Sequence, residues 1–406
     1  MRPGDGDLSA EVCTDSARFG SLGPQWEALY RRSRTATPFQ SHAWLHSWWL
    51  SYGSGRGLCV VLVRDGGRLV AAAPLMRRWR PLPVLVPLGG SISDFCDVLV
   101  DDDGDGEGVR VRALGDALWR LARTHVIDFR EARPGSAVER LYDRWPGPRR
   151  RLDDSLCLEL PPVPMDDIVG RLPGARAQRA RAKVRKLDAL GIERRVVPPD
   201  QIDGSVRRLV ELHQLQWKGR KVTTEHLRPR FSEHLTRSVS LMARSGDAVV
   251  TEFRIDETVL AADLTLLSPC LTGAYLYGAH PGLRERKADV ATMLLRSCSE
   301  HVQERASGSL SLLRGDEPYK HHWRPHSVVN QRFVLARPGT SAGLALAVGD
   351  VTARRLGKRA LHAWKARGGG AALLPRRPRA RRRRGGGAPP PNAERRGGGE
   401  GGCWGG

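Results

Sequence analysis

The chain has 406 residues, 40% of them apolar and 27% charged, with a formal net charge of +22. That length exceeds one ordinary domain and is enough for two sizeable cores and a tail. Seven scattered cysteines without a C-x-x-C pair fit reduced thiols better than a disulfide framework or a zinc site; the sequence has no run of about 18 apolar residues to suggest a membrane span, and no secretory signal is visible in MRPGDGDLSAEV, so a soluble cytoplasmic protein is expected.

The charge is unevenly spread. From Val351 to Gly406, fifteen Lys and Arg stand against Glu394 and Glu400, so +13 of the +22 lies in that stretch and +9 in the first 350 residues. Its segment RRPRARRRRGGGAPPPNAERRGGGEGG offers almost nothing to bury and is expected to be disordered. A basic low-complexity end attracts polyanions weakly and specifies little, which leaves a nucleic-acid-binding arm as an alternative reading.

In chain order, GPQWEALYRRS predicts a helix with Trp26, Leu29 and Tyr30 on one face, and SHAWLHSWWLSYG a second helix capped by Ser41. The apolar runs Leu58 to Val63 and Leu69 to Leu75 flank Arg64-Asp65-Gly66-Gly67-Arg68. That is a hairpin pattern, because glycine accepts the positive φ of a tight turn. PLPVLVPLGG and FCDVLVDDD predict further strands and VRALGDALWRLAR a helix. After the basic helix ARAQRARAKVRKLDALG the order recurs: helices in VRRLVELHQLQWKGR and RPRFSEHLTRSVSLMARSG, then a hairpin in AVVTEFRIDETVLAADLTLL turning at Asp256 to Thr258. The strand LTGAYLYGA, a helix with Val290, Met293, Leu294 and Cys298 on one face, and the strand SLSLL follow. The shared order, with the short match of GGRLVAAAPL to DETVLAADLTL, argues for two copies of one α+β unit.

TPFQSHAWLHSWWLSYG, RDGGRLVAAAPL, RAKVRKLDALG and above all LLRGDEPYKHHW, with its G-x-x-x-Y-K-x-x-W spacing, resemble the CelD-type acetyltransferase domain of the GNAT superfamily over roughly Phe19 to Arg337. The chain is also similar to the Fem-type peptidoglycan aminoacyltransferases, which are built from two tandem GNAT-like units and keep a late Lys. The resemblance implies an α+β fold of two tandem GNAT-like units, each a mixed, mainly antiparallel sheet flanked by helices, to which composition adds a disordered tail. The expected division is an N-terminal unit over 1–160, a basic linker helix over 161–191, an acyltransferase unit over 192–340, a helical extension over 341–366 and the tail over 367–406. The implied activity is transfer of an acyl group from a thioester donor to an amine or hydroxyl, on a small molecule, glycan or peptide. Members of this group are often linked to envelope or polysaccharide synthesis.

Acyl transfer needs a base for the proton of the incoming nucleophile and a positive or donating group for the oxygen charge that develops. Within RGDEPYKHHW, Gly315 lets a ligand or backbone approach, Asp316 suits the base, Lys320 the charge stabiliser, and Tyr319 the acid for the leaving thiolate. Asp263 interrupts an apolar strand, where a carboxylate is costly unless it is paired or faces a cleft. Tyr275 and Tyr277 fall at period two and are expected to share a face. His213 and Trp217, four apart on a helix, complete the candidate substrate-binding set. His321, His322 and His326 lack a completing ligand, so no metal is expected.

No permanently bound cofactor is expected; acetyl-CoA or another acyl-CoA is the implied co-substrate. GNAT enzymes hold the pyrophosphate on N–H groups of a Gly-containing loop at a helix N-terminus. The stretch GAHPGLRERKADVATMLL has no Gly pair there and offers Arg284, Arg286 and Lys287 instead. An aminoacyl-tRNA donor is the alternative, for which the basic helix Arg176 to Lys186 is suited, and a non-catalytic nucleic-acid-binding protein is the third.

Overall fold

The computed structural model describes residues 8–349 apart from 54–56, 80–81, 105, 218–223 and 306–307. The tail expected over 367–406, and the extension beyond 349, lie outside the described residues. Contacts gather Met1–Ala345 into one compact unit.

The first half runs β1 (Leu8–Cys13), α1 (Ser16–Ser21), α2 (Gly23–Arg32), α3 (His42–Tyr52), β2 (Gly57–Asp65), β3 (Arg68–Trp79), β4 (Pro83–Pro87), β5 (Leu99–Val100), α4 (Glu107–Leu121), β6 (Val126–Ala132), α5 (Ala137–Asp143) and β7 (Arg149–Leu160). Helices α6 (Met165–Gly170) and α7 (Gly174–Ala189) lead to the second half. This comprises β8 (Glu193–Val196), α8 (Ile202–Trp217), α9 (Pro229–Ser245), β9 (Ala248–Ile255), β10 (Thr258–Ser268), β11 (Leu271–Ala279), α10 (Gly282–Glu285), α11 (Val290–Arg305), β12 (Leu310–Arg314) and β13 (His326–Leu335).

Local chemistry sets these boundaries. Ser41 caps α3 by accepting the Trp44 N–H, and α9 stops at Gly246, whose φ of 78° is the left-handed C-terminal conformation. The β2–β3 turn uses Gly66 and Gly67 at φ 51° and 91°, whereas the matching β9–β10 turn holds Asp256 and Glu257 at 48° and 62°. The second copy therefore makes the same tight turn against an unfavourable side-chain conformation of about 1 kcal/mol per residue. Strands β2 and β3 read as unbroken apolar runs because both faces are covered: Val60 and Leu62 join the core under α2 and α3, while Val61 and Val63 join the core under α4.

The sheet order is β1-β2-β3-β4-β6-β13-β7-β12-β11-β10-β9-β8, with β5 beside β3. Each half is an antiparallel run closed by one parallel pair, β4 with β6 and β11 with β12. The order reads the same from either end once each half's last strand is exchanged. Strand β7 of the first half lies against β12, and β13 of the second lies against β6. The two then pair with each other antiparallel from His326↔Glu159 to Leu335↔Arg149. The α+β class and the mixed, mainly antiparallel sheet with flanking helices are as expected, and two copies of one unit are visible. The expectation that each copy keeps its own sheet is corrected: exchange of the final strands fuses them into one. One apolar core along a face of that sheet takes side chains from α2 and α3 and from α8 and α9.

Because each half lacks a central strand without the other, residues 8–163 and 164–349 expressed separately should fail to give cooperative unfolding, while co-expression restores a complex. A cooperative melt from either half alone would contradict the exchange.

Candidate active site

In the second half, β11 and β12 are joined only through Thr272↔Leu310 and Gly273↔Ser311. Beyond these, β11 stays with β10 up to Ala279↔Ala261, while β12 keeps to β7 from Leu310↔Leu160 to Arg314↔Cys157. Two parallel strands that part in this way leave a wedge at their diverging ends.

Three of the residues singled out in the sequence lie on the elements around that wedge: Asp263 on β10, Tyr277 on β11 and Tyr319 in the turn after β12. Asp263 of β10 lies in register between Thr251 of β9 and Tyr277 of β11, so the three side chains stand in a row on the α11 face of the sheet. Tyr277 packs on a cluster containing Leu187, Met293 and Leu294. Asp263 is 4% exposed. It accepts from the Thr265 hydroxyl at 3.4 Å through Oδ2 and has Cys298 Sγ at 4.0 Å, while Oδ1 has no hydrogen-bond partner among the described residues. Burial pushes its pKa up to about 7, with Arg194 and the neighbouring threonines pulling the other way. Tyr319 enters from the turn after β12; burial raises its pKa, and Tyr277 and Glu317 add to the effect, so it stays protonated at neutral pH.

The other residues of RGDEPYKHHW make contacts of their own within the fold. Arg314 binds Asp94 at 2.6 Å, Glu131 at 3.1 Å and the Ser91 carbonyl at 2.7 Å. Burial alone would lower its pKa, but the two carboxylates more than offset this and raise it. Gly315 adopts φ 117° and donates its N–H to the Leu156 carbonyl; a Cβ there would meet the Glu317 carboxylate at 2.4 Å. Lys320 is 5% exposed, donates to the Arg314 carbonyl at 2.9 Å and pairs with Glu317 at 2.8 Å. Its charge is thus already matched. Asp316, with a side chain 68% exposed, pairs instead with His321 at 2.5 Å.

The period-two expectation for the tyrosines is corrected. The β10–β11 register slips between Leu264 and Thr265, pairing Leu264 with Leu276 and Thr265 with Ala274. Tyr275 is the extra residue, and a bulge re-aims its side chain. It turns to the opposite face from Tyr277, packs on Phe39 and Trp44, and donates its hydroxyl to the Ile92 carbonyl at 2.8 Å. His213 also lies on that face, with Nδ1 2.7 Å from the Tyr277 carbonyl and Nε2 3.2 Å from His226; burial lowers its pKa. Helix α8 comes this close because Gly278 has no Cβ, which would sit 2.3 Å from the His213 backbone nitrogen. Trp217 ends α8, but its side chain lies outside the described residues. Arg284, Arg286 and Lys287 are exposed in and after α10. The α11 N-terminus beside them is occupied by Asp289, which accepts the Thr292 N–H at 2.9 Å and pairs with Lys183 at 2.7 Å.

The first half has the same diverging pair, joined only at Val84↔Val126 and Leu85↔Ile127, but there the chain itself fills the gap. Cys96 donates its N–H to the Glu131 carbonyl, Trp44 Nε1 binds the Ser93 hydroxyl, and Gln40 and Asn330 bind the carbonyls of Phe95 and Asp94. The sequence reading did not single out Arg314, Thr251 or Thr265. The visible signal was threonine in VVTEF and DLTLL, polar residues interrupting apolar strands on either side of Asp263.

Two outcomes follow from this geometry. Lys320→Met removes the partner of Glu317 and should lower stability by about 1–3 kcal/mol, less than for a fully buried pair because Glu317 is 34% exposed; an unchanged denaturation midpoint with lost turnover would return Lys320 to the chemistry. Asp263 keeps in the folded chain a proton that the unfolded chain releases near pH 4. Its contribution to stability is therefore full below about pH 4 and lost as pH rises through about 7. Asp263→Asn should gain on the wild type across that interval, by up to about 4 kcal/mol; stability curves that stay parallel would contradict a proton-holding Asp263.

Residues 174–321 match the family model described as an acetyltransferase (GNAT) domain. Among solved structures, FemX is similar with a TM-score of 0.58 at 9% identity, covering 83% of this chain and 99% of that one. A conserved protein of unknown function from Bacteroides thetaiotaomicron is similar with a TM-score of 0.52 at 13% identity, covering 81% and 100%. At such identities the likeness is one of fold. No curated protein sequence matches. The matched domain spans α7 to the 3-10 turn that carries Lys320, and so contains Asp263, Tyr277 and Tyr319. The chain thus carries an acetyltransferase (GNAT) domain over residues 174–321, within a two-half fold distantly like that of FemX.

Proposed function

We propose that the second half transfers an acyl group, acetyl in the first instance, from an acyl-CoA to an amine or hydroxyl of a small-molecule, glycan or peptide acceptor in the cytoplasm, in envelope or polysaccharide metabolism. The observation that carries this reading is the row of Thr251, Asp263 and Tyr277, with Tyr319 beside it, at the diverging ends of β11 and β12. A carboxylate with a pKa near 7 can take a proton at neutral pH and give it up again. In this reading Asp263 takes the proton of the attacking amine or hydroxyl through its unpartnered Oδ1. The nucleophile bonds to the acyl carbon, the C–S bond breaks, and the departing thiolate takes the Tyr319 proton. Exchange with solvent resets both groups.

With Asp289 seated on the α11 N-terminus, donor phosphates are left to side chains, and Arg284, Arg286 and Lys287 are the nearest exposed cations in the sequence. A second reading, an aminoacyl-tRNA donor, is favoured by one observation: Arg176, Arg179, Arg181, Arg185 and Lys186 are exposed on α7, and Lys183 of that helix ties it to Asp289. No described helix is long and apolar enough to cross a membrane. The matched acetyltransferase domain over residues 174–321 weighs against the purely nucleic-acid-binding alternative.

Thermal-shift and turnover assays with acetyl-CoA, a longer acyl-CoA and a charged tRNA separate the donors. With the accepted donor, Tyr319→Phe and Asp263→Asn should lower kcat about 100-fold or more with donor Kd within about threefold of wild type. Undiminished kcat in both variants would remove this row from the chemistry.

A further inference from the structure

We propose that Arg171, Arg324 and His326 form a binding site for a phosphate group, outside the acyl-transfer row. Arg171 follows the last turn of α6, its N–H bonded to the Asp167 carbonyl. Arg324 closes the 3-10 turn Lys320–Trp323, and His326 opens β13. Leu172 and Trp323, the neighbours of the two arginines, lie in one apolar cluster with Leu160, Val302 and Leu310, so both backbones are held from beneath. The three cationic or donor-rich side chains converge as a result. Arg171 Nη2 lies 3.5 Å from His326 Nε2, and Arg324 Nη1 lies 3.4 Å from the Arg171 carbonyl.

With Pro325 these residues line a surface cavity of about 500 Å³, and no carboxylate is among its walls. Two arginines lining one cavity with no acid in its walls make it positive, and an anion entering it is favoured. The acid opposite His326 in the β7–β13 register is Glu159, and it is already engaged by Arg133 at 2.7 Å. Arg171 Nη1 is buried without a hydrogen-bond partner among the described residues; a buried donor of this kind wants an acceptor. Arg324 adopts φ 51° and ψ 55°, a left-handed conformation rare for a side chain of its size. Such strain persists where the surroundings over-determine it and collects at ligand sites. Planar guanidinium forks and an imidazole match the tetrahedral oxygens of a phosphate, and the cavity has room for the molecule that carries it.

The phosphate can arrive on the acyl donor or on a different molecule. Calorimetric titration of the full chain with inorganic phosphate, pyrophosphate and CoA distinguishes the two. Arg171→Gln and Arg324→Gln should each weaken inorganic phosphate binding about tenfold or more, and Arg324→Gly should do the same while leaving the melting temperature unreduced, since glycine accepts the turn without strain. A parallel loss for CoA assigns the site to the donor; loss for phosphate and pyrophosphate with CoA unchanged assigns it to another phosphorylated molecule. Absence of phosphate and pyrophosphate binding by the wild type, or binding by all three variants at wild-type strength, overturns the proposal. Because the readout is binding, it stands or falls separately from acyl transfer.

Discussion

The pairing of β7 with β13 is the constraint on which the rest of the molecule depends. Each of these strands ends one half of the chain and lies in the sheet of the other, so the ladder between them welds two copies of a unit into one sheet. Their ladder hydrogen bonds can be satisfied only when both halves are present. Every feature of the site inherits its position from this junction. Strand β12, which opens the wedge, is held against β7, and the turn bearing Tyr319 and Lys320 leads directly into β13.

The exchange also explains why two similar halves are not equivalent. Arg314, at the end of β12, reaches across to Asp94, Glu131 and the Ser91 carbonyl, and Tyr275 reaches the Ile92 carbonyl. Second-half side chains thereby pin the first-half segment into its own gap between β4 and β6. The first half becomes a wall and a foundation, and the second keeps an open pair of strands. The bulge at Tyr275 serves both tasks: it sends one tyrosine to the junction and leaves Tyr277 in register with Asp263.

The sequence made the elements and their repetition legible because they rest on local rules: the Gly66-Gly67 turn, the Ser41 cap, apolar periodicity in α9 and α11. It made Asp263 conspicuous, since a carboxylate inside LAADLTLL has few inexpensive explanations. What it could not reveal depends on partners distant in the chain. Period-two spacing put Tyr275 and Tyr277 together, and only the one-residue slip against β10 separates them. The fused sheet was hidden because the strand exchange is a pairing between residues 149–160 and 326–335 that no local pattern encodes. Lys320 stands out in the sequence as the late Lys that the resemblance implies, and its pairing with Glu317 three residues earlier shows only in the fold. The convergence of Arg171 with Arg324 is likewise invisible without the fold.

The central claim is that acyl transfer occurs at the diverging β11 and β12 pair while the equivalent place in the first half is closed by its own chain. Photo-crosslinking with an acyl-CoA analogue carrying the reactive group on the acyl chain, followed by peptide mapping, tests this directly. The account predicts label on the peptides containing residues 271–279 and 310–323. Label concentrated on residues 83–98 and 126–132 would contradict it and move the chemistry to the first half.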